Sequence, residues 1–536
     1  MSDGVLQYAN MDLKPTSVVS EPPRYSDTAA FETGASSTDA KDMLRTGKKQ
    51  EFKRNFHFLS AFSFVIVFTA TWEYVLTSLS VGFSSGGYAG LFWCFITTIL
   101  CYSTIVASLA EMASMAPTCG GQYHWASEFA PTEYQRVLSY ASGWMSTLAW
   151  LAGFASSNYI CVAQIQAMIE VYSPGYTFTQ WQYTLILIGF AVVTVGFNTC
   201  GAKVLPQLQV VCLVLHIGGF ILIMAAVLSL APKNSARQVF LDFQDNSGWN
   251  NIGVAYMISQ VYVLYCNSGS DSVVHTSEEV GDASLVVPRC MWWSYCINTI
   301  LGIAMLITML FCIGPLDAVL TTDTPYLNLF NNTGSRPLSL IMNLIIFFMT
   351  YAGNIDSEAA CAREVFAFAR DKGIPFSDFI GHIDPKWSLP FNAVYVTTLG
   401  VIPLSCINFG STLGFTILVS VGLLALLSTY LISIGCILLK RLRGEPLPPA
   451  RWSWGRWGLP LNAFAFVYSA YIMIWCCFPP DLSVDYASAN WSPLVWAGFG
   501  LLSLIWYQVH GKKHYTAPVE FVEGRKARGV ELQTAS

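Results

Sequence analysis

Apolar runs long enough to cross a lipid bilayer recur along this 536-residue chain. A membrane-spanning helix needs roughly 20 mostly apolar residues. Hydrophobic residues make up 54% of the chain and charged residues only 11%, too few charges to cover a soluble protein of this size. The sequence therefore predicts an all-α integral membrane protein with about 12 transmembrane helices. The predicted helices lie at about 57–83, 88–114, 137–168, 181–200, 205–231, 250–274, 289–315, 337–361, 390–408, 412–439, 459–478 and 493–510.

The distribution of basic residues predicts the orientation of these helices. If residues 1–55 are cytoplasmic, the outward loops hold only Lys233, Arg237 and Arg336, and the other 25 of the 28 Lys and Arg lie on the inward side. The two N-x-Ser/Thr sequons, at Asn331 and Asn490, then fall in outward loops, where glycosylation is possible. We therefore expect both chain termini to be cytoplasmic.

Composition divides the chain into three regions. Residues 1–55 form an N-terminal tail that we expect to be disordered, because it begins with a stretch rich in Ser, Thr, Asp and Pro. Residues 56–510 carry the twelve predicted spans, and 511–536 form a second cytoplasmic tail. Both tails carry basic residues that predict attraction to anionic membrane lipid. Nothing in the sequence indicates a nucleic-acid partner, a metal site or a cofactor.

The sixth predicted span is interrupted by small polar residues. The apolar run reaches Tyr265 and then meets Asn267, Ser268, Gly269, Ser270 and Asp271. Unwound backbone inside a bilayer is tolerated only where it lines a protein-buried or water-filled site, so the break predicts a substrate-binding site. Free half-helix ends suit a zwitterion or a small charged solute. Asp271 is predicted to hold a substrate amine, to take a proton, or to cap the resuming half-helix.

Three stretches together resemble the amino acid–polyamine–organocation transporter superfamily, and in particular its fungal branch of GABA, choline and amino-acid permeases. They are LAEMASMAPTCGGQYHWAS at 109–127, GSDSVVHTSEEVGDASLVVPR at 269–289 and FAFARDKGIPFS at 366–377. The resemblance covers the chain from about residue 55 to residue 510. It implies a leucine-transporter-type fold, in which spans 1–5 and 6–10 form a 5+5 inverted repeat and two C-terminal helices follow. In that fold the substrate lies between the broken spans 1 and 6.

Span 1 departs from the amino-acid-selective members of this superfamily. Residues 68–74 read FTATWEY, without the Gly-rich break whose amides bind a carboxylate in those members. Glu73 lies mid-span, where a carboxyl is costly and indicates a function. It is predicted to attract a cationic head group or to carry the coupled proton, and a structural hydrogen bond is the alternative. Trp72 suits a quaternary ammonium. The candidates to complete an aromatic box are Tyr262, Tyr265, Trp144 and Tyr351.

Five titratable residues are candidates for proton coupling or gating. His216 in span 5 is the coupling candidate, because members of the superfamily that this chain resembles replace a sodium site by a titratable group on span 5. A buried structural histidine is the alternative. Glu279 is predicted to form a gating ion pair, and Glu111 either gates or couples. Their predicted partners on the inner side are Arg136, Arg289 and Arg363.

Span 8 contains two acids that the resemblance does not lead us to expect. Asp356 and Glu358 lie deep in the predicted span, on either side of Ser357. Intramembrane carboxyls are rare and mark functional sites by default. They are predicted to line an aqueous path or to pair with Arg363 further along the same helix.

These features predict a secondary active transporter, working by proton-coupled symport, of a small amine-bearing nutrient such as choline, GABA or another amino acid. The plasma membrane is the expected location, with the vacuolar membrane as the alternative. The rival hypothesis is a permease-like receptor, or transceptor, that binds solute and signals; the short tails favour transport. No nucleophile–base pair, metal motif or phosphate loop indicates an enzyme.

Overall fold

The computed structural model describes residues 35–519 apart from 323, 412 and 483. Within these residues, eleven helices are long and apolar enough to cross a membrane. The sixth predicted span is the shorter apolar helix Ile252–Asn267, because the predicted break ends it early. One two-residue strand pair is found in the described part of the chain, Ser85–Gly86 with Gln244–Asp245, and it joins two loops. The structure confirms the prediction of an all-α integral membrane protein.

Twelve spans follow one another along the described chain. Spans 1 to 6 are Phe58–Ser78, Gly87–Met115, Gln135–Glu170, Gln180–Thr199, Leu205–Leu230 and the pair Ile252–Asn267 and Ser272–His275. Spans 7 to 12 are Ala283–Cys312, Arg336–Arg370, Phe391–Phe409, Gly414–Leu442, Gly455–Trp475 and Ser492–His514. Short helices outside the spans are Ser37–Arg45, Ser80–Ser84, Gly121–Phe129, Ala236–Phe240, Leu316–Leu320, Pro325–Asn331 and Ser377–Ile380.

The contacts between spans repeat when spans 1–5 are exchanged with spans 6–10. Span 1 packs on spans 5 and 7, and span 6 correspondingly packs on spans 10 and 2. Span 3 packs on span 10, as span 8 does on span 5. Spans 2 and 7, 3 and 8, and 4 and 9 also pack together, and in each of these pairs a span contacts its own counterpart in the other repeat. An offset of five spans reverses direction across the membrane, so this is the contact pattern of two inverted repeats, and spans 11 and 12 pack outside them against span 10.

Span 5 illustrates how each helix divides between lipid and protein. Most of its exposed positions are large and apolar, such as Val211, Val214 and Ile221, as expected of side chains that face hydrocarbon. Its buried positions recur every three or four residues and form one stripe along the helix. That stripe consists of Leu205, Pro206, Gln209, Cys212, His216, Gly219, Ile223 and Val227. Gln209 and His216, which lie on this stripe, therefore point into the bundle, whereas Gln207 and Ser229 near the two ends of the span are exposed.

Both described chain ends meet at one end of the bundle, which we call the termini end. Lys48 forms a buried ion pair with Asp371, and the backbone N–H of Thr516 donates to the Asp371 carbonyl at 3.3 Å. Burial lowers the pKa of the Lys48 ammonium, while the Asp371 charge opposes that shift. The two tails are thus joined through the residues that follow span 8.

The part of the N-terminal tail that the structure describes is packed on the protein, which differs from the prediction of a disordered tail. Residues 1–34 lie outside the described residues, but Ser37–Arg45 is a helix capped by Ser36. Buried Asp39 pairs with Arg54 at 3.2 Å and accepts hydrogen bonds from the backbone of Asp282 and Ala283 at the start of span 7. These partners supply the stabilisation that composition alone does not reveal. In the C-terminal tail, residues 520–536 lie outside the described residues.

Candidate functional site

Span 1 is broken at Ala70, although its sequence contains neither Gly nor Pro there. Ala70 adopts a left-handed conformation with φ of 35°, which separates the half-helices Phe58–Thr69 and Thr71–Ser78. A non-glycine residue in this conformation costs about 1–2 kcal/mol. Asn298 of span 7 compensates by donating to the Ile66 carbonyl at 3.2 Å and to the Thr69 hydroxyl. The break therefore depends on a neighbouring helix.

Span 6 is broken where the sequence predicts it. The helix ends at Asn267, and the chain resumes a helical turn at Ser272. Gly269 between them has a φ of 96°, and a Cβ at this position would lie 2.1 Å from the ring of Phe68 in span 1. Only glycine satisfies both the positive φ and the close approach. The two breaks thus lie against each other.

A cavity lies between the two breaks. Aromatic rings bound it on two sides: Phe68 and Trp150, with centroids 5.6 Å apart, and Tyr74 and Tyr265, with centroids 5.7 Å apart. The second pair is held by hydroxyl contacts with span 3, from Tyr74 to Ser157 at 3.3 Å and from Tyr265 to Ser156 at 3.0 Å. The lining residues are Phe68, Thr69, Tyr74, Trp150, Gly153, Ser157, Tyr265, Ser268, Gly269, Asp271, Gly353, Ser357 and Leu426.

Asp271 supplies the carboxyl of this cavity. Its Oδ2 accepts hydrogen bonds from the Tyr430 hydroxyl at 3.0 Å and from the Gln122 amide, whereas its Oδ1 is buried with no hydrogen-bond partner among the described residues. Although Asp271 precedes the half-helix Ser272–His275, its side chain makes no capping hydrogen bond. Of the three predicted roles, the capping alternative is therefore not found. A carboxyl that lines the cavity therefore keeps one oxygen without a hydrogen-bond partner among the described residues.

The structure brings some of the predicted substrate-binding residues together and separates others. Tyr265, Ser268, Gly269 and Asp271 line the cavity. Asn267 and Ser270 are buried nearby but do not line it; Asn267 instead donates to the Val263 carbonyl at 2.8 Å. Trp72 and Glu73 do not line it either, because their side chains point towards span 5.

Glu73 forms a buried pair with His216. The Glu73 Oε1 and His216 Nδ1 atoms are 2.7 Å apart, and both side chains are at most 1% exposed. The ring of Trp72 lies beside the same histidine, with centroids 5.7 Å apart, and beside Phe220 at 5.9 Å. The pair links the half-helix Thr71–Ser78 of span 1 to span 5. Two residues that were predicted for different roles are thus direct partners.

The aromatic residues around the cavity are mostly not those that the sequence suggested. Tyr265 lines it, but Trp144 packs against Phe499 with centroids 5.5 Å apart, and Tyr351 packs against Phe190 at 5.2 Å. Tyr262 is buried elsewhere in span 6. The residues that sequence reasoning missed are Phe68, Tyr74 and Trp150. Phe68 and Tyr74 are the two ends of segment 68–74, which the family resemblance already marked as the position of the break in span 1. No feature of the sequence pointed to Trp150.

Glu279, which was predicted to form a gating ion pair, and its neighbour Glu278 both form ion pairs near the termini end. Glu279 pairs with Arg363 at 2.7 Å, one of its three predicted partners, and Glu278 pairs with Arg370 at 2.8 Å. Burial alone would raise the pKa of Glu278, but the charge and hydrogen bonds of Arg370 lower it below its usual value. Glu278 is therefore held ionised in its pair.

Glu111 pairs with a residue other than those predicted. Its carboxylate contacts Arg441 of span 10 at 2.7 Å and accepts a hydrogen bond from the Ser453 hydroxyl at 2.6 Å. Glu111 reaches these partners because span 2 lies beside span 10, and residues 451–454 after span 10 pack on the end of span 2. Glu111 thus connects the end of span 2 to the loop between spans 10 and 11.

The two acids of span 8 meet neutral partners rather than Arg363. Asp356 accepts from the Gln209 amide at 2.5 Å. Glu358 accepts from the Thr398 hydroxyl at 2.7 Å and from the Asn198 amide at 3.0 Å. Neither carboxyl lines the cavity, although Ser357 between them does. Within the described residues, no group of three metal-ligating side chains is assembled here or elsewhere.

Two broken spans that enclose a cavity with a buried carboxyl, within an apolar helical bundle, are the arrangement of a membrane transporter. Comparison with known proteins agrees: residues 56–499 match the amino acid permease family, and the chain belongs to that family. It is 26% identical over 485 residues to a choline transporter of Saccharomyces cerevisiae, covering 89% of this chain and 85% of that protein.

Two further relatives cover most of the chain. Amino-acid permease 2 of Neurospora crassa is 25% identical over 527 residues, covering 97% of this chain and 95% of the relative. A putative amino acid/polyamine transporter of Macrophomina phaseolina is 29% identical over 441 residues, covering 80% of this chain and 96% of the relative. The fungal relatives thus carry names for both choline and amino-acid transport, and the protein is a transporter rather than an enzyme.

Proposed function

We propose that this permease is a proton-coupled symporter that imports a small amine-bearing nutrient, with choline, GABA and other amino acids as the candidate substrates. We place it in the plasma membrane. The basic residues of the inward loops support an orientation with both termini in the cytoplasm. In this orientation the termini end of the bundle faces the cytoplasm, and substrate enters from the opposite end.

The proposal rests on Asp271, a carboxyl that lines the cavity and whose Oδ1 has no hydrogen-bond partner among the described residues. A buried carboxylate oxygen without a donor is costly, and a substrate ammonium would supply both the charge and the hydrogen bonds that it lacks. The rings of Phe68, Tyr74, Trp150 and Tyr265 offer electron-rich faces to the same cation. These two features favour a substrate with a positively charged amine over an uncharged or anionic solute.

The Glu73–His216 pair supports the proton-coupling half of the proposal. Histidine is the side chain that changes charge near physiological pH, and Nδ1 of His216 lies 2.7 Å from a carboxylate oxygen of Glu73, within reach of a shared proton. Glu73 attaches the half-helix Thr71–Ser78 to span 5, so protonation of the Glu73–His216 pair alters this attachment. Tyr74, the next residue in the same half-helix, lines the cavity. Proton binding is thereby linked to the shape of the substrate site. In this proposal Glu73 and Trp72 serve coupling and not direct substrate contact.

Competitive uptake in a permease-deficient yeast strain that expresses the full chain tests the proposal. Radiolabelled choline, GABA and a mixed amino-acid pool are supplied separately at two external pH values. We expect accumulation of one of these amines, greater at the lower pH, and competition by solutes that share its head group. A chain that binds one of them without accumulating it would instead support the receptor alternative.

The coupling pair has its own test in the same assay. We expect His216→Ala to flatten the pH dependence of uptake, because the titrating ring is removed. Trp72→Phe serves as the matched control, since it changes the neighbouring ring while the pair stays intact. An unchanged pH profile in His216→Ala would return this histidine to a structural role.

A further inference from the structure

Asp356 is a buried carboxyl whose only hydrogen-bond partner among the described residues is neutral. Its side chain is fully buried, and its Oδ1 accepts from Nε2 of Gln209 at 2.5 Å. Its Oδ2 has no partner, and neither does Oε1 of Gln209. An ionised carboxylate is strongly disfavoured in such a place, because one neutral donor does not replace its hydration.

A proton on Asp356 would satisfy both unpaired oxygens. A protonated carboxyl has one O–H donor, and the amide oxygen of Gln209 is an acceptor without a donor. The two planar groups can then be joined by two hydrogen bonds, from Nε2 of Gln209 to Oδ1 and from Oδ2 of Asp356 to Oε1. Without the proton, Oδ2 and Oε1 are two acceptors with no hydrogen between them. Protonation therefore strengthens the link between spans 5 and 8.

The charged groups around Asp356 are engaged elsewhere. Arg363, two helical turns further along span 8, is held by Glu279 at 2.7 Å. Glu358 on the same helix is bonded to span 9 through Thr398 and to span 4 through Asn198. Span 5 contributes the thiol of Cys212 to the surroundings of Asp356. Among the described residues, no cation forms an ion pair with Asp356, so no side chain there neutralises an ionised carboxylate.

The stripe of buried residues on span 5 connects this site to the coupling pair. Gln209 and His216 belong to the same stripe, with Cys212 between them. Seven residues of α-helix place them two turns and about 10 Å apart on one face. Gln209 lies towards the start of span 5, and span 8 reaches the termini end at Arg370, so Asp356 lies between the coupling pair and that end of the bundle.

We propose that Asp356 and Gln209 form a second proton-binding site, which receives the proton from the Glu73–His216 pair on its way to the termini end. In the transfer, an N–H bond of protonated His216 breaks, water carries the proton, and an O–H bond forms on Oδ2 of Asp356. The proton leaves to water when spans 5 and 8 separate. This inference rests on the proposed proton coupling and extends it from one site to a path along span 5.

Infrared spectroscopy of the purified full chain in lipid vesicles tests the site without any substrate. We expect a carbonyl band of a protonated carboxylic acid at neutral pH that disappears in Asp356→Asn. The band should move to higher frequency in Gln209→Leu, because the carbonyl loses its amide donor. Glu358→Gln is the assignment control, since it removes a different carboxyl two residues away. A spectrum in which Asp356→Asn removes no such band at any pH would overturn the proposal.

Transport by Asp356→Asn provides a second readout in the same vesicles. Asparagine can form the two-bond pair with Gln209 permanently, so we expect the variant to fold and to exchange radiolabelled choline or GABA across the membrane. Accumulation driven by a proton gradient should fall at least tenfold, because the site no longer releases a proton. Wild-type accumulation by this variant would refute a second proton site.

The two proposals fail in distinguishable ways. If His216→Ala keeps the wild-type pH dependence of uptake, coupling through the Glu73–His216 pair is wrong. The infrared band of Asp356 still decides by itself whether the second site holds a proton. If the band is present but Asp356→Asn accumulates substrate normally, the carboxyl is protonated for structural reasons and the path along span 5 is refuted.

Discussion

Asp271 is the residue on which the proposed substrate site depends most. Its Oδ2 is held by Tyr430 and Gln122, which fixes the carboxyl so that Oδ1 is left for a ligand. Gln122 belongs to the short helix Gly121–Phe129, within the first of the three sequence motifs, whereas Asp271 belongs to the second. The resemblance of these two distant motifs to one family thus has a physical basis, because their side chains meet.

We predict that Asp271→Asn weakens uptake of a cationic amine by about 10- to 100-fold. A hydrogen bond to a charged group contributes about 1.5–3 kcal/mol, and each 1.4 kcal/mol is a factor of ten in affinity. Asparagine keeps the shape and an acceptor for Tyr430, so the loss should appear in the KM and not in expression. Ser270→Ala is the control, since Ser270 is buried beside the site without lining the cavity. Unchanged affinity in Asp271→Asn would remove this carboxylate from substrate recognition.

At the scale of elements, span 1 is two half-helices attached to different neighbours. The half-helix Phe58–Thr69 is held to span 7 through Asn298. The half-helix Thr71–Ser78 is held to span 5 through the Glu73–His216 pair. Ala70 joins them in a left-handed conformation. Because the two attachments are independent, one half can move while the other stays in place, as alternating access at a broken helix requires.

Gly353 allows span 8 to pack closely against the half-helix Phe58–Thr69 of span 1. A Cβ there would lie 2.9 Å from the Val67 carbonyl oxygen and 3.4 Å from that of Phe68. We predict that Gly353→Ala displaces this half-helix and lowers uptake at least tenfold, because backbone atoms cannot move aside as side-chain ends do. Uptake normalised to the amount of protein at the cell surface is the measurement.

Gly218→Ala is the matched control for this prediction. A Cβ at Gly218 in span 5 would meet nothing within 4 Å, and alanine favours the helix. We expect normal uptake from it. Normal uptake from Gly353→Ala as well would mean that span 1 tolerates a shift at its break, contrary to the close packing seen there.

On the scale of the whole molecule, the termini end is closed by buried ion pairs and by the N-terminal tail. Gln50 donates to the Glu278 carbonyl at 2.7 Å, and the backbone N–H of Phe56 donates to the Glu279 carbonyl at 3.0 Å. The tail therefore covers the same segment whose carboxylates pair with Arg363 and Arg370. Opening this end for release requires that the tail and the pairs separate together.

We predict that Glu279→Ala shifts the protein towards the state that is open at the termini end. Removing the carboxylate leaves buried Arg363 without its partner, which costs the closed state about 3–5 kcal/mol. Cys119 can report the opening, because its thiol is buried in the closed state. Burial together with the Glu278 charge raises the pKa of this thiol well above its usual value, so it should react slowly while the end is closed. Maleimide labelling of Cys119 in vesicles should rise at least tenfold.

Two comparisons make the labelling experiment specific. Subtracting the signal of a Cys119→Ser background assigns the label to this thiol among the other cysteines. Glu279→Gln should change the labelling less than Glu279→Ala, because an amide oxygen still accepts a hydrogen bond from Arg363. Equal labelling of wild type and Glu279→Ala would show that this pair does not hold the end closed.

The sequence by itself determined the features that depend on the chemistry of single segments. Membrane spans follow from apolar length, and the break in span 6 follows from five consecutive small or polar residues, of which Gly269 is indispensable. The prediction that Glu73 is functional followed from the high cost of placing a carboxyl in a membrane span. Each of these inferences needs only the properties of residues and the thickness of a bilayer.

Only the tertiary structure decided which side chains meet. In a soluble helix, polar residues mark the exposed face, but a membrane helix is apolar towards lipid and largely apolar towards protein, so hydrophobic periodicity does not reveal which neighbour a residue faces. Successive helical residues point about 100° apart, which is why Glu73 reaches His216 of span 5 while Tyr74 lines the cavity. The packing of distant spans, and not the local sequence, assigned Glu73 to a histidine instead of to the substrate cavity.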